Sequence, residues 1–325
     1  MHSELLKFAR GRHVSFALAT ILGIAVCPLS AAAQEQDSEE QAATASDSRI
    51  TVDGQPRTRA EERAEIVEYV RSAGVANGLT PAARWLDPIC PVAFGISAEH
   101  AAIVIGHIRD VAMQVGAPVA REGCPPNISV IFSTDGSDTA SQIRRKKGRQ
   151  FAEVPLGERK AMFDGDAPIR WWYRTQARAI GGERPTFGDP IFVTAEGDGS
   201  NIGNNLGNAP TLQQYRPSLI SSNTGRAIIA ASVVIDVNAA HGYTLDSVSQ
   251  YAAMVVLAEM RADAGPYGDS IMNLFDPAHG YDHISGRDEA FLTKLYDLPL
   301  DRSSRTQRSM LVRALLEESS GSADN

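Results

Sequence analysis

Apolar side chains recur at helical spacing through "AEHAAIVIGHIRDVAMQVGA", where Val104, Ile108, Val111 and Val115 fall on one side behind the capping residue Ser97. A short apolar run, "PICPVAFGI" from Pro88, precedes this helix and reads as a strand. "NISVIFST" reads as a second, buried strand. Ser137 is expected to open a further helix, "DTASQIRRKKG", with Gly148 closing it. In "PIRWWYRTQAR", Ile169, Trp171 and Tyr173 alternate with Arg170, Trp172 and Arg174, the period of a half-exposed strand. "PIFVTAE" reads as a short strand, and "AIIAASVVIDV" is the most apolar strand of the chain, expected at the centre of the sheet. Thr244 then caps a helix, "LDSVSQYAAMVVLAEMRAD", and Ser285 caps "GRDEAFLTKLYDLP". Upstream of all of these, Arg59 to Ser72 forms a charged helix with Ile66, Val67 and Val70 on one side. Strands and helices in this succession predict an α+β fold, a mixed β-sheet with packed helices.

The first residues bear on location. Lys7, Arg10 and Arg12 precede an uncharged stretch from Val14 to Cys27, and an Ala-x-Ala exit ends at Ala33. That pattern is a secretory signal peptide over 1–33, cleaved to leave Gln34 first, and it places the protein in the periplasm or outside the cell. The apolar stretch is short of the ~20 residues that span a bilayer, and no later stretch is a candidate span. Residues 34–57 read as a disordered acidic tether, 58–87 as a helical arm, 88–318 as a single α+β domain and 319–325 as a disordered tail. The Gly/Asn-rich stretch 196–215 is either an insertion or a lid. With Cys27 removed, Cys90 and Cys124 remain, and in an oxidising compartment such a pair forms a disulfide.

Charge narrows the partners. Cleavage moves the formal charge from -8 to -10, which offers no overall field for nucleic acid. One basic run opposes that balance: Arg144, Arg145, Lys146, Lys147 and Arg149. A helix end carrying cations is either solvated or in contact with an anionic lipid surface. Trp171–Trp172 favours the second reading if one ring lies on the outer side of its strand.

The last third carries a resemblance. A central helix, the turn Ser270-Ile271-Met272 and the spacing Asp288-x3-Leu292-x2-Leu295-Tyr296 resemble the catalytic half of zincin-type metallopeptidases. The chain is also similar to exported bacterial proteins over about Pro88 to Leu316. In the zincin superfamily a methionine turn lies beneath the zinc, so the resemblance implies that Met272 packs under the helix and that Ser270 serves the turn. The zinc motif itself needs His, Glu and His at i, i+1 and i+4 on one helix face. The helix from Leu245 to Arg261 has no His, and Tyr251, Ala252, Met254, Val255 and Val256 stand where ligands would point. Zinc-peptidase chemistry is therefore absent, and no catalytic set, cofactor or metal is expected.

His279 and His283, with Asp276, Asp282 and His241 nearby, read as exposed loop residues, and His100 and His107 as residues packed at a helix edge. An alternative enzyme reading remains: Gly268-Asp269-Ser270 and Asp276-x2-His279 resemble the blocks of Gly-Asp-Ser esterases, making Ser270 and His279 its catalytic candidates. Only five residues separate Ser270 from Asp276, and no strand precedes the serine. The leading expectation is a non-catalytic exported binding protein, a pseudo-peptidase partnered by an envelope protein or an anionic lipid surface.

Overall fold

The computed structural model describes residues 58–179, 181–187, 210–211, 224–261, 267–278 and 280–322. The expected signal segment and acidic tether, the strand expected at 190–196, most of 196–215 and His279 lie outside the described residues.

Helix α1 (Arg59–Ala73) starts at Thr58, whose side chain accepts the Glu61 N–H while the Glu61 carboxylate accepts the Thr58 N–H at 2.8 Å. Ile66, Tyr69, Val70 and Ala73 are buried in the main core, whereas Val67 is 43% exposed. The predicted stripe of Ile66, Val67 and Val70 is thus corrected. An i, i+3, i+4, i+7 rhythm puts Tyr69 and Ala73 on the buried side and turns Val67 out. Strand β1 (Ala83–Trp85) follows, three residues between Pro81 and Pro88 with Ala83 and Trp85 buried and Arg84 half-buried. Then come β2 (Pro91–Phe94), α2 (Ala98–Gln114), β3 (Ile128–Ser133), α3 (Gly136–Lys147), a 3-10 turn (Gly148–Phe151), α4 (Leu156–Asp164) and β4 (Ile169–Ala179). The chain continues through β5 (Thr186–Phe187), β6 (Pro210–Thr211), β7 (Thr224–Asp236) and α5 (Leu245–Leu257). A 3-10 turn (Ile271–Asn273), α6 (Gly286–Asp297) and α7 (Ser304–Ser322) complete it.

The sheet is built around β7. One side of β7 is parallel to β1 near its start (Ala83↔Arg226) and to β3 further along (Ile128↔Ala231 to Ser133↔Asp236). Its other side is antiparallel to β4, with a register shift at Arg174/Thr175, and β2 lies parallel to β3 beyond. Among the described residues β1, β2 and β4 each have a strand on one side only, with β4 forming the edge opposite β2, and β5 and β6 pair with each other. Parallel neighbours need a crossover, and α2 supplies it between β2 and β3. The Cys90–Cys124 disulfide ties the starts of these two strands, with Cα atoms 6.1 Å apart. The architecture is mixed helix and strand around a mostly parallel sheet with one disulfide.

Helices cover both faces of this sheet, which revises two local readings. Ile169, Trp171 and Tyr173 do face the main core, but Arg170 and Trp172 on the opposite face are each 3% exposed instead of half-exposed. Phe151, Met162 and Phe163 cover them, and the Phe151 and Trp172 rings lie 4.4 Å apart. The Arg170 guanidinium is satisfied by the carbonyls of Met162 (3.0 Å), Ala167 (2.6 Å) and Gly165. With its ring buried, Trp172 is not presented to a lipid surface. The start of α3 also moves. Asp135, not Ser137, caps it by accepting the Asp138 N–H at 2.8 Å, and the Ser137 hydroxyl is itself engaged in donating to Asp135 Oδ1 at 3.0 Å. Gly148 continues right-handed (φ -52) into the 3-10 turn and does not form a left-handed stop.

Candidate binding cleft

Helix α5 is apolar almost all round because it is buried almost all round; from Tyr251 to Leu257 every residue is buried. Thr244 satisfies its N-terminus by accepting the Ser247 N–H at 3.0 Å. Its C-terminus ends inside the protein, where the last carbonyls have no intrahelical donor and no bulk water. Aromatic side chains from three other elements supply the donors. Trp85 Nε1 donates to Val256 O at 2.6 Å, and the Tyr296 hydroxyl to Leu257 O at 2.9 Å. The Tyr173 hydroxyl is shared between Val255 O (2.5 Å) and Ala258 O (2.8 Å), and it accepts the Met260 N–H at 3.1 Å. Burial pushes the Tyr173 phenol well above its usual range, so it stays protonated and able to donate. Trp171 Nε1 completes the set by donating to Met260 O at 3.0 Å.

The Tyr173→Phe variant should therefore lose about 1–3 kcal/mol, the usual cost of stranding buried polar groups. Urea denaturation would check it, and an unchanged midpoint would mean that the hydroxyl is dispensable.

The segment that leaves α5, Glu259 to Arg261, forms one wall of a cleft of about 450 Å³. Edge strand β4 lines it through Trp171, Trp172 and Tyr173, and Glu153, Val154, Pro155, Glu158 and Met162 form the opposite wall. Arg226 holds Glu259 through two contacts of 2.6 and 2.8 Å. Burial pushes the Glu259 carboxyl above its ordinary value, and the facing guanidinium partly pulls it back. Glu153 accepts from Thr175 N (2.8 Å) and Thr175 Oγ1 (2.6 Å) on β4. Glu158 pairs with Arg261 at 3.7 Å. These carboxylates are committed to fixed partners, so the cleft presents a shaped and polar surface more than a poised acid and base.

Tyr251, Ala252, Met254, Val255 and Val256 are all buried, and none of them lines the cleft. The Trp171 ring meets Tyr251 edge-on at 6.0 Å, and Tyr251 meets Phe275 at 5.5 Å. Met272 is buried in the main core within the 3-10 turn packed against α5. Ser270 is fully buried; its Oγ donates to Asp288 Oδ1 at 2.6 Å and accepts the Met272 N–H at 3.1 Å. Its suggested partner His279 lies outside the described residues.

His241, Asp276, Asp282 and His283 are exposed, with Asp282 Oδ1 2.6 Å from His283 Nδ1. His100 bonds Ser97 in the first turn of α2, and His107 joins α2 to α5 through Asp246 at 2.5 Å. Among the described residues no three His, Cys, Asp or Glu side chains converge as a metal site would require. All five residues of the basic run are exposed; Arg144 lies over the Phe163 ring at 4.2 Å and Arg145 faces Asp138 at 3.8 Å. No helix among the described residues is long and apolar enough to cross a membrane.

No protein-family model, no curated protein and no solved structure matches the chain. The cleft residues Arg226, Glu259, Glu153 and Glu158 carry no motif and come from three segments that are distant in sequence. One signal was present in the sequence: Trp171 and Tyr173 face the core with polar tips, and a buried Trp or Tyr needs a partner.

Proposed function

We propose that the protein is an exported, non-catalytic binding protein, in effect a pseudo-peptidase, whose cleft receives an extended polypeptide segment beside β4 and leaves it uncut. The observation that carries this reading is the sealing of the α5 face by β4: Trp171 stands against Tyr251, and Tyr173 is bonded to Val255. Helix positions that a zinc peptidase would open to metal and substrate are here core. Among the described residues β4 pairs with no strand but β7, and on its outer edge the Thr175 N–H is held by Glu153. A sheet edge beside a cleft accepts another strand through main-chain hydrogen bonds. The disulfide fits an oxidising, exported setting. The exposed Lys146, Lys147 and Arg149 are the surface for an envelope protein or anionic lipid partner. A hydrolase centred on Ser270 and His279 is the weaker reading, because Ser270 is fully buried and its hydroxyl is bonded to Asp288.

The test uses reduced, unfolded casein, with and without added zinc. Retention of casein with no new amino termini is the expected result. Liberated amino termini would establish a hydrolase, and no retention at low salt would remove the binding reading.

A further inference from the structure

Helix α7 begins beside the end of α1, where Ser304 Oγ donates to Gly78 O at 2.6 Å and Arg308 donates to Ala76 O. It then runs back along α1, and the two helices leave a groove of about 470 Å³ between them. Arg63 and Arg71 line it from α1, and Arg305, Arg308 and Arg313 from α7. Among the described residues no carboxylate belongs to the lining, on a chain whose formal charge is -8. Arg71 is paired with Glu68 at 2.6 Å and Arg308 holds a carbonyl. Arg63, Arg305 and Arg313 are exposed and face no carboxylate partner among the described residues. Between the two rows, Val67, Val70, Val312 and Leu316 make an apolar floor.

We infer that this groove is a docking site for an acidic amphipathic helix of a partner protein. The spacing supports a helix. Arg63 and Arg71 are eight residues apart, as are Arg305 and Arg313, so each rim places its cations about 12 Å apart. A helix carrying carboxylates seven or eight residues apart on both flanks, with an apolar stripe between them, meets both rims and the floor at once. Of the floor residues, Val67 is 43% exposed and available to an apolar stripe, whereas Val70 is 2% exposed and lies beneath it. The site stands independently of the β4 cleft.

The probe is an 18-residue synthetic helix with a leucine stripe flanked by glutamates, labelled with fluorescein and titrated at low salt. The Arg305→Glu/Arg313→Glu double variant should weaken its binding by about tenfold or more, with an unchanged far-ultraviolet spectrum and melting curve. An Arg121→Glu variant, at an exposed cation outside the groove and outside α3, should bind as the parent does, and a scrambled peptide of equal charge should bind about tenfold more weakly. The inference is overturned if the probe does not bind at low salt, if the α7 variant binds it equally well, or if the scrambled peptide matches it. Binding of phosphatidylglycerol vesicles through Arg305 and Arg313, without binding of the peptide, would assign the groove to lipid and overturn it as well.

Discussion

Replacing Asp288 with alanine is expected to cost about 4 kcal/mol or more, enough to unfold a marginally stable domain. Its carboxylate is fully buried and accepts four hydrogen bonds: from the Tyr69 hydroxyl (2.8 Å), Ser270 Oγ (2.6 Å), Ile271 N (2.8 Å) and Ser285 N (3.1 Å). Truncation strands all four donors, each worth about 1–3 kcal/mol when left buried and unpaired. Burial and the neighbouring carboxylate push the Tyr69 phenol well above its usual range, so it remains a donor that needs this acceptor. Asp288 thereby joins α1, the Met272 turn and the start of α6 in a single polar node beneath an otherwise apolar assembly. Asp288→Asn keeps the volume and one acceptor oxygen but turns an amide N–H₂ toward donors, so its loss should be intermediate. Urea midpoints for the two variants order the effects. A loss for Asp288→Ala below about 1 kcal/mol, the net worth of one ordinary hydrogen bond, would show that water replaces the carboxylate.

The residues of this node were visible in the sequence, but their purpose was not. The spacing Asp288-x3-Leu292-x2-Leu295-Tyr296 marked a helix. In the structure Leu292 and Leu295 are fully buried and Tyr296 caps α5, while Asp288 reaches Tyr69 across 219 residues of chain. Local pattern carries such information poorly, because a hydrogen bond between distant segments leaves no period. Elements whose stability is largely local were legible: Ser97, Thr244 and Ser285 all cap helices. Alternation also gave the correct faces of β4. It could not show that the second face is covered, since covering depends on Phe151, Met162 and Phe163 folding back from α4 and the turn before it. The cleft was least legible of all. Arg226 and Glu259 are ordinary surface residues by type, and only the fold, which sets the start of β7 beside the exit of α5, brings them together.

Removing the disulfide with the Cys90→Ser/Cys124→Ser double variant is expected to cost about 4 kcal/mol on the chain-entropy account. The bond closes a sequence separation of 34 residues that spans β2, α2 and the approach to β3. Much of the native geometry at this junction has independent support. Asn127 Oδ1 accepts the Cys90 N–H at 2.7 Å, Asn127 Nδ2 donates to Pro88 O at 3.0 Å, and the Asn127 N–H reaches Cys90 O at 3.1 Å. With the folded arrangement held by those bonds, the disulfide acts chiefly by restricting the unfolded chain. The double variant should therefore keep the parent's circular dichroism at low temperature while its denaturation midpoint falls. It should also separate stability from binding, because the disulfide sits at the β2 edge of the sheet and the cleft at the β4 edge. Under conditions where the variant is fully folded, casein retention should match that of the parent. A folded variant that has lost retention would mean that the two edges are coupled through the sheet, and the cleft would then have to be sought nearer to β2.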